Sequence, residues 1–366
     1  MSKIIPKKVE MLELFYDLIF VYAVAKMTAM IHHPHHGHVN LINILQYIAV
    51  CFIVLHIWLY QTNYINRYGN HSVLENILLT INMAATVYMA NSINTTWEDT
   101  YSSFNIAMII MVLTVIGQFS LHFSNSNKPN REVIGFITTL SIETILVLIG
   151  LALGYEKGLY IVLLGYACGM LLPFLFTTKH LKEDRTNFPH LVERMGLITI
   201  ITFGETIVGI TALFDTKELS ILPILVFTSV VLLFSIYVIQ MDKLVNHHQY
   251  NKGLIVMYTH FGLIVSLGIM TVSWTFLINN EVDRTFLVEF MASGLLLFYI
   301  TLFINSVYNK VNKKLTLKDI IFFLGIFALT VVALFIGKDN NIAFATTMLI
   351  SSLVIAIRMY MKMKFD

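Results

Sequence analysis

Residues 254–278 read L-I-V-M-Y-T-H-F-G-L-I-V-S-L-G-I-M-T-V-S-W-T-F-L-I, an unbroken stretch without one Asp, Glu, Lys or Arg. A membrane helix needs roughly 20 mostly apolar residues, so this run is long enough to cross a bilayer. Further runs of the same character lie at 12–31, 41–62, 74–94, 103–124, 133–154, 158–177, 191–214, 219–241, 285–308, 317–336 and 341–361. None shows the ~10-residue alternating segments of a membrane β-barrel. In hydrocarbon a backbone must satisfy its own hydrogen bonds, which leaves helices. The expected fold is therefore all-α: a polytopic integral membrane protein of about twelve transmembrane helices.

Composition agrees and excludes much else. The 366-residue chain is 57% hydrophobic and 13% charged, against the ~25% charged residues of a soluble domain. Its mean hydropathy is +0.74. Disorder needs low hydrophobicity and high charge, the reverse of this balance. Two cysteines, Cys51 and Cys168, rule out a disulfide-stapled secreted fold. A net charge of +2 is too small and too dispersed for nucleic-acid binding. There is no P-loop, no G-x-S-x-G and no H-E-x-x-H, so neither a cofactor nor a metal is expected. The histidine-rich loop I-H-H-P-H-H-G-H at 31–38 lacks a carboxylate or cysteine to complete a closed metal site, and reads as a variable loop.

Positive charge sorts by side. With the helices numbered from the N-terminus, only Lys157, Lys217, Arg284 and Lys338 of the 24 Lys and Arg fall on one face, and Lys26 lies within the first helix. The other nineteen lie in the N-tail, the even-numbered loops and the C-tail. By the positive-inside rule both termini are expected in the cytoplasm. Lys7 and Lys8 before an apolar run imitate a signal peptide, but Glu13 and Asp17 interrupt that run, so it is expected to be the first helix.

Twelve helices invite division into six plus six. Residues 1–178 and 179–366 are expected to form two halves related by a parallel repeat, with V-E-M-L-E-L-F-Y-D-L-I-F-V at 9–21 entering the first helix as H-L-V-E-R-M-G-L-I-T-I-I at 190–201 enters the seventh. Both helices set a glutamate at the entrance, Glu13 and Glu193, and an acid further in, Asp17 and Glu205.

An ionised side chain at mid-bilayer costs roughly 2.5–3.5 kcal/mol on insertion scales, so each one in a span needs a partner, a proton or a water-filled cavity. Glu13 and Asp17, four apart, share a helix face. A basic or protonatable partner is expected for Asp17, with Arg67 and His260 the candidates. Glu205 lies about 18 Å along its helix from Glu193, near mid-membrane, and Gly204 and Gly209 are expected to bring a neighbouring helix close to it. Glu143 lies at similar depth. The candidate ion or solute pathway is Glu13, Asp17, Arg67, Glu143, Glu193, Arg194, Glu205 and His260. His56 and His122 also lie in spans and are expected to be packing residues, as Lys26 is expected to reach outward.

The stretches E-L-F-Y-D-L-I-F-V-Y-A-V-A at Glu13–Ala25 and H-L-V-E-R-M-G-L-I-T-I-I-T-F-G-E at His190–Glu205 resemble the two signature segments of the bacterial low-temperature-requirement protein A family. Trp58 with Asn66-Arg67-Tyr68, Tyr237 with Asp242, and Tyr258-Thr259-His260 fall in the order that family shows. Where its members often carry W-W-x-Y-F-D, this chain has Ser235 to Asp242 reading S-I-Y-V-I-Q-M-D. The pattern Phe15-x-Asp17-x-x-Phe20-x-x-Ala23 is similar to part of the first helix of lysosomal and bacterial potassium-leak channels. The resemblance implies a multi-pass protein of the bacterial plasma membrane. Combined with the intramembrane acids, it favours a transporter or channel for a small solute or ion. The expected partners are the lipid bilayer, that solute, and a second copy of the chain as a homodimer, with no nucleic acid. The alternatives are a membrane-embedded lipid- or isoprenoid-modifying enzyme, with His56, Asp17 and His260 converging at one interface, or a structural or sensory membrane protein.

Overall fold

The computed structural model describes residues 4–124, 130–176, 185–214 and 220–365. Among them are twelve α-helices: α1 (Met11–Ala29), α2 (Leu41–Tyr68), α3 (Val73–Asn91), α4 (Trp97–Ser124), α5 (Arg131–Ala152), α6 (Gly154–Phe176), α7 (Phe188–Ile210), α8 (Leu222–Val238), α9 (Leu254–Asn279), α10 (Arg284–Asn305), α11 (Leu317–Ile336) and α12 (Asn341–Phe365). A π-helical turn, Ile239–Leu244, extends α8. The expected boundary at 178/179 and the charges Lys128, Lys179, Lys182 and Lys217 lie outside the described residues.

Eleven of these helices are long and apolar enough to cross a membrane, one fewer than expected. The exception is α1, which is long enough at 19 residues but carries Glu13, Asp17 and Lys26. Composition alone therefore does not make α1 a span. Helix ends also depart from the apolar runs. α2 continues through the polar stretch Asn63–Tyr68, and α4 begins at Trp97, six residues before its run. Capping explains several starts. Ser72 and Glu75 exchange bonds at the start of α3, and Thr316 and Asp319 do the same for α11.

The chain divides into two compact units. The first comprises Met1–Met30, Gln46–Arg194 and His248–Gly253. Its core helix is α2, where every residue from Ile53 to Asn66 is buried. Around it α1 packs on α3, α3 on α4, α4 on α5 and α5 on α6. The α5–α6 pair approaches so closely that a Cβ on Gly158 would fall 1.8 Å from the Gly150 carbonyl oxygen. At one end of this unit the N-terminal stretch, the end of α2 and the starts of α5 and α7 meet. The Lys7 ammonium donates to the Ile65 and Gly69 carbonyls (2.7 and 3.2 Å), where a cation complements the negative end of α2. Burial lowers the Lys7 pKa from the ordinary lysine value, against the pull of Glu13 and Glu75. The Asn187 amide donates to the Ile5 carbonyl at 2.9 Å.

The second unit comprises Ile31–Leu45, Met195–His247 and Leu254–Asp366. Its core helix is α9, buried on every side from Leu263 to Trp274. α10 packs on α9 and α11, and α12 packs on α11 and α8. One end gathers the α8–α9 and α10–α11 connections and the end of α12: Lys310 N–H donates to Leu244 O (2.9 Å), Asn246 N–H to Tyr308 O (2.8 Å) and Lys313 Nζ to Lys362 O (3.1 Å). The other end gathers the α1–α2, α9–α10 and α11–α12 connections: Asp283 N–H donates to Gly37 O (2.7 Å), Asn341 Nδ2 to Leu277 O (3.1 Å) and Lys338 Nζ to Thr285 Oγ1 (3.1 Å). Successive helices in each unit thus alternate in direction. Outer helices such as α11 present bare apolar side chains, with Leu329 67% and Ile321 61% exposed.

The charge count sets an expectation for the two sides that labelling can check. In a chain with Cys51 and Cys168 replaced, single cysteines at the exposed positions Lys8 and Lys310 should react with an impermeant thiol reagent only after the membrane is opened. Cysteines at Thr96 and Asp339 should react in intact cells. Labelling of the Lys310 position in intact cells would reverse the orientation.

Candidate functional site

The first turns of α1 and α7 carry the densest buried charge of the first unit. Glu13 and Asp17 project from one face of α1, and His190 and Arg194, also four apart, project from α7. The Arg194 guanidinium forks between the two acids, Nη1 to Glu13 Oε2 at 2.8 Å and Nη2 to Asp17 Oδ1 at 2.6 Å. Below it, His190 Nε2 lies 3.2 Å from Glu13 Oε2. His190 and Arg194 each stand 177 residues beyond the acid on their own rung, so the four groups form a two-rung ladder. Glu13, Asp17, His190 and Arg194 are all at most 1% exposed.

α2 supplies the third wall. Trp58 Nε1–H donates to Asp17 Oδ1 at 2.8 Å, and the Arg194 guanidinium carbon lies 5.8 Å from the Trp58 ring centre, a cation–π contact. Asn66 sets the state of His190. Asn187 N–H donates to Asn66 Oδ1 at 3.1 Å, which fixes the amide and turns Asn66 Nδ2 toward His190 Nδ1 at 3.0 Å. An amide nitrogen only donates, so Nδ1 accepts and the ring proton sits on Nε2, aimed at Glu13. His190 is therefore the neutral imidazole. Within bonding distance of Arg194 there are two carboxylates and one permanent cation. Asp17 Oδ2 and Arg194 Nε have no hydrogen-bond partner among the described residues.

Two further sites flank the ladder. Arg67 Nη1 binds Glu132 Oε1 at 2.8 Å and Nη2 binds the Thr186 hydroxyl, while Arg185 lies 3.8 Å from Glu132 Oε2. Deeper along α2, His56 Nδ1 bonds the Ile53 carbonyl, which can only accept, so Nδ1 carries a proton. His56 Nε2 then lies 2.9 Å from Glu143 Oε1. That bond needs one more proton, on the imidazole or on the carboxyl, so the pair holds it between them. Tyr60 and Tyr166 pack edge-on to His56, and the Tyr60 hydroxyl donates to the Gly169 carbonyl at 2.8 Å. Gly169 makes room for the acid, since a Cβ there would fall 2.0 Å from Glu143 Oε2.

The sequence-derived candidates thus separate. Glu13, Asp17 and Arg194 come together. Arg67 is not the partner of Asp17; it serves Glu132. His260 lies in the second unit, where its Nδ1 donates to Val256 O (2.6 Å) and its Nε2 accepts from the Tyr237 hydroxyl (3.1 Å). The aromatic residue retained in the S-I-Y-V-I-Q-M-D stretch is thus the one that engages His260. Glu193 is exposed. Glu205 is half-buried with no hydrogen-bond or ion-pair partner among the described residues. Gly204 brings no helix near it: its face is exposed and a Cβ there would meet nothing within 4 Å. Gly209 does mark a close approach, since a Cβ there would fall 2.9 Å from Thr271 Cγ2, beside the Thr206–Thr271 hydroxyl bond (2.7 Å). Sequence reading passed over His190, Trp58 and Asn66 as site members. The signal for His190 was its four-residue spacing to Arg194, which copies that of Glu13 and Asp17.

The histidine loop folds as a tight turn. His35 and His38 exchange backbone bonds, and His36 and Gly37 adopt positive φ against Asp283. Among the described residues no group of three His, Cys, Asp or Glu side chains is placed to hold a metal ion.

The chain matches, over residues 8–360, the family described as "Bacterial low temperature requirement A protein (LtrA)". No curated protein matches it.

The ladder makes a stability prediction. Removing one partner of a buried ion pair costs about 3–5 kcal/mol. Arg194→Met should therefore lower the melting temperature in detergent strongly. Arg194→Lys should lower it too, because an ammonium lacks the planar fork. Lys26→Gln should leave it unchanged, since Lys26 lies only over the Tyr22 ring. Gly169→Ala should destabilise by about 1–3 kcal/mol, by driving Glu143 off His56.

Proposed function

The chain belongs to the bacterial low-temperature-requirement A family, and on that footing we propose that it moves a small solute or ion across the bacterial plasma membrane, with protonation of its buried α1–α7 carboxylates as the coupled event. The observation that carries this reading is the charge balance of the ladder. Two carboxylates face one guanidinium, and the adjacent imidazole is held neutral by Asn66. A buried cluster with one excess negative charge is costly. It is relieved when a proton or a small cation arrives, and the unpartnered Asp17 Oδ2 is where an arriving charge finds a free lone pair. Charged groups of this kind in a membrane protein mark ion pathways and proton relays by default.

The remaining parts fit one assembly. α1 joins the eleven apolar helices as a twelfth span, because its acids are matched from within the protein. Both termini lie in the cytoplasm, as the charge count favours. The 6+6 parallel repeat gains support from packing order: α3–α4, α4–α5 and α5–α6 pair as α9–α10, α10–α11 and α11–α12 do. Aligning α1 with α7 at the 177-residue offset sets Glu13 opposite His190 and Asp17 opposite Arg194, rather than Glu13 opposite Glu193. The enzyme reading has less support, because Asp17 is held by Arg194 and Trp58, His56 by Glu143 and His260 by Tyr237, which leaves none of these three as a free base.

Vesicles containing the purified protein and a trapped pH dye test the proposal. They are given, in turn, gradients of protons, sodium, potassium and small organic anions. At least one gradient is expected to drive a dye response absent from empty vesicles. Asp17→Asn is expected to reduce it to the empty-vesicle level while still eluting as folded protein. Folded, inserted protein that moves protons under none of these gradients would overturn the coupled reading.

A further inference from the structure

The α2–α3 turn lies against the ladder. His71 sits there with φ +54°, a left-handed conformation uncommon for a residue other than glycine. Such strain persists where the surroundings hold the residue in place. The His71 side chain is 33% exposed, yet its Nε2 is buried without a hydrogen-bond partner and lies 3.6 Å from Glu13 Oε1. Glu13 uses its other oxygen, Oε2, for Arg194 and His190. One ring thus joins the outside to Glu13 Oε1, whose one other contact among the described residues is the Glu10 N–H of the helix cap at 3.5 Å.

We propose that His71 is the proton-exchange residue of this cluster: its partly exposed ring takes up from the adjoining water, and returns to it, the proton that neutralises the Glu13–Asp17–Arg194 group through Nε2. The inference rests on the coupled-transport reading and names the residue through which the cluster exchanges protons. The step is a simple binding equilibrium. A water-borne proton adds to the unprotonated nitrogen of the partly exposed ring, the ring becomes an imidazolium whose Nε2–H faces Glu13 Oε1, and the reverse step returns the proton to water. No other group around the ladder suits the task. His190 is pinned neutral by Asn66, and Arg194 does not titrate. Lys7 is bonded to the Ile65 and Gly69 carbonyls. Glu75 is occupied by the Tyr64 hydroxyl (2.7 Å) and the Asn70 and Ser72 amides. Glu10 is exposed, and Arg67 faces Glu132. Histidine is also the side chain whose ordinary charge change falls between about pH 5 and 8.

Trp58 provides a reporter, because its indole touches both Asp17 and Arg194. In full-length protein carrying Trp97→Phe and Trp274→Phe, Trp58 emission should follow a single transition between about pH 5 and 8. A pH jump across it should take up one proton per chain more than the same jump in His71→Asn, counted with a soluble indicator against the unmodified protein as well. His71→Asn keeps a residue type that tolerates positive φ and should abolish the Trp58 transition and lower the proton count by one, while Lys26→Gln changes neither. An unchanged transition or proton count in His71→Asn, or a flat profile in the parent, overturns the proposal. Neither measurement needs a substrate. A normal titration without vesicle flux would sink the transport reading alone, and flux with unaltered pH dependence in His71→Asn would sink this inference alone.

Discussion

The arrangement at the start of α1 and α7 depends on one guanidinium. Arg194 is fully buried, an expensive state that becomes stable only because its fork meets Glu13 and Asp17 at once and its face rests on Trp58. That triangle ties α1, α2 and α7 together at their polar ends. It also explains why a helix with three ionisable residues belongs beside helices that have almost none. Asn66, which fixes His190, and Arg67, which holds Glu132, extend the same polar floor along the last turn of α2. The six residues by which α2 outruns its apolar segment are those that build it.

Three buried histidines show how a neighbour decides a charge. His260 donates through Nδ1 to a carbonyl and accepts a tyrosine hydroxyl at Nε2, so it needs no proton beyond the neutral ring. His190 accepts at Nδ1 from a fixed amide, so its proton points at an acid. His56 donates at Nδ1 and faces an acid at Nε2, so it and Glu143 share a proton. The ring is the same in each case; the partner at Nδ1 sets His190 apart, and the partner at Nε2 separates His56 from His260.

Much of this architecture was legible in the sequence, because hydrocarbon permits so few backbone solutions. Apolar runs marked the helices, and charge sorted their ends. The Glu13–Asp17 pair was legible for the same reason, since four residues make one face. Its partner was not. Arg67 lies on the next helix and at the same end, while Arg194 is far away in the chain, and helix order carries no information about which faces meet. The Gly204 argument failed on geometry: Gly209 lies five residues on, about 140° around the helix, and only that side meets a neighbour. Polar helix extensions such as Asn63–Tyr68 were invisible because their stability comes from tertiary hydrogen bonds rather than apolar burial.

The 177-residue separation across each rung also bears on how the chain is made. At ~5–20 residues per second, α7 emerges roughly 10–35 s after α1. For that interval Glu13 and Asp17 lack the Arg194 guanidinium, and α1, with its three ionisable residues, is without the partner that holds it. Its final seating must wait until α7 arrives, so biogenesis of this protein passes through a partly assembled bundle whose first-made helix is settled by one of the later ones.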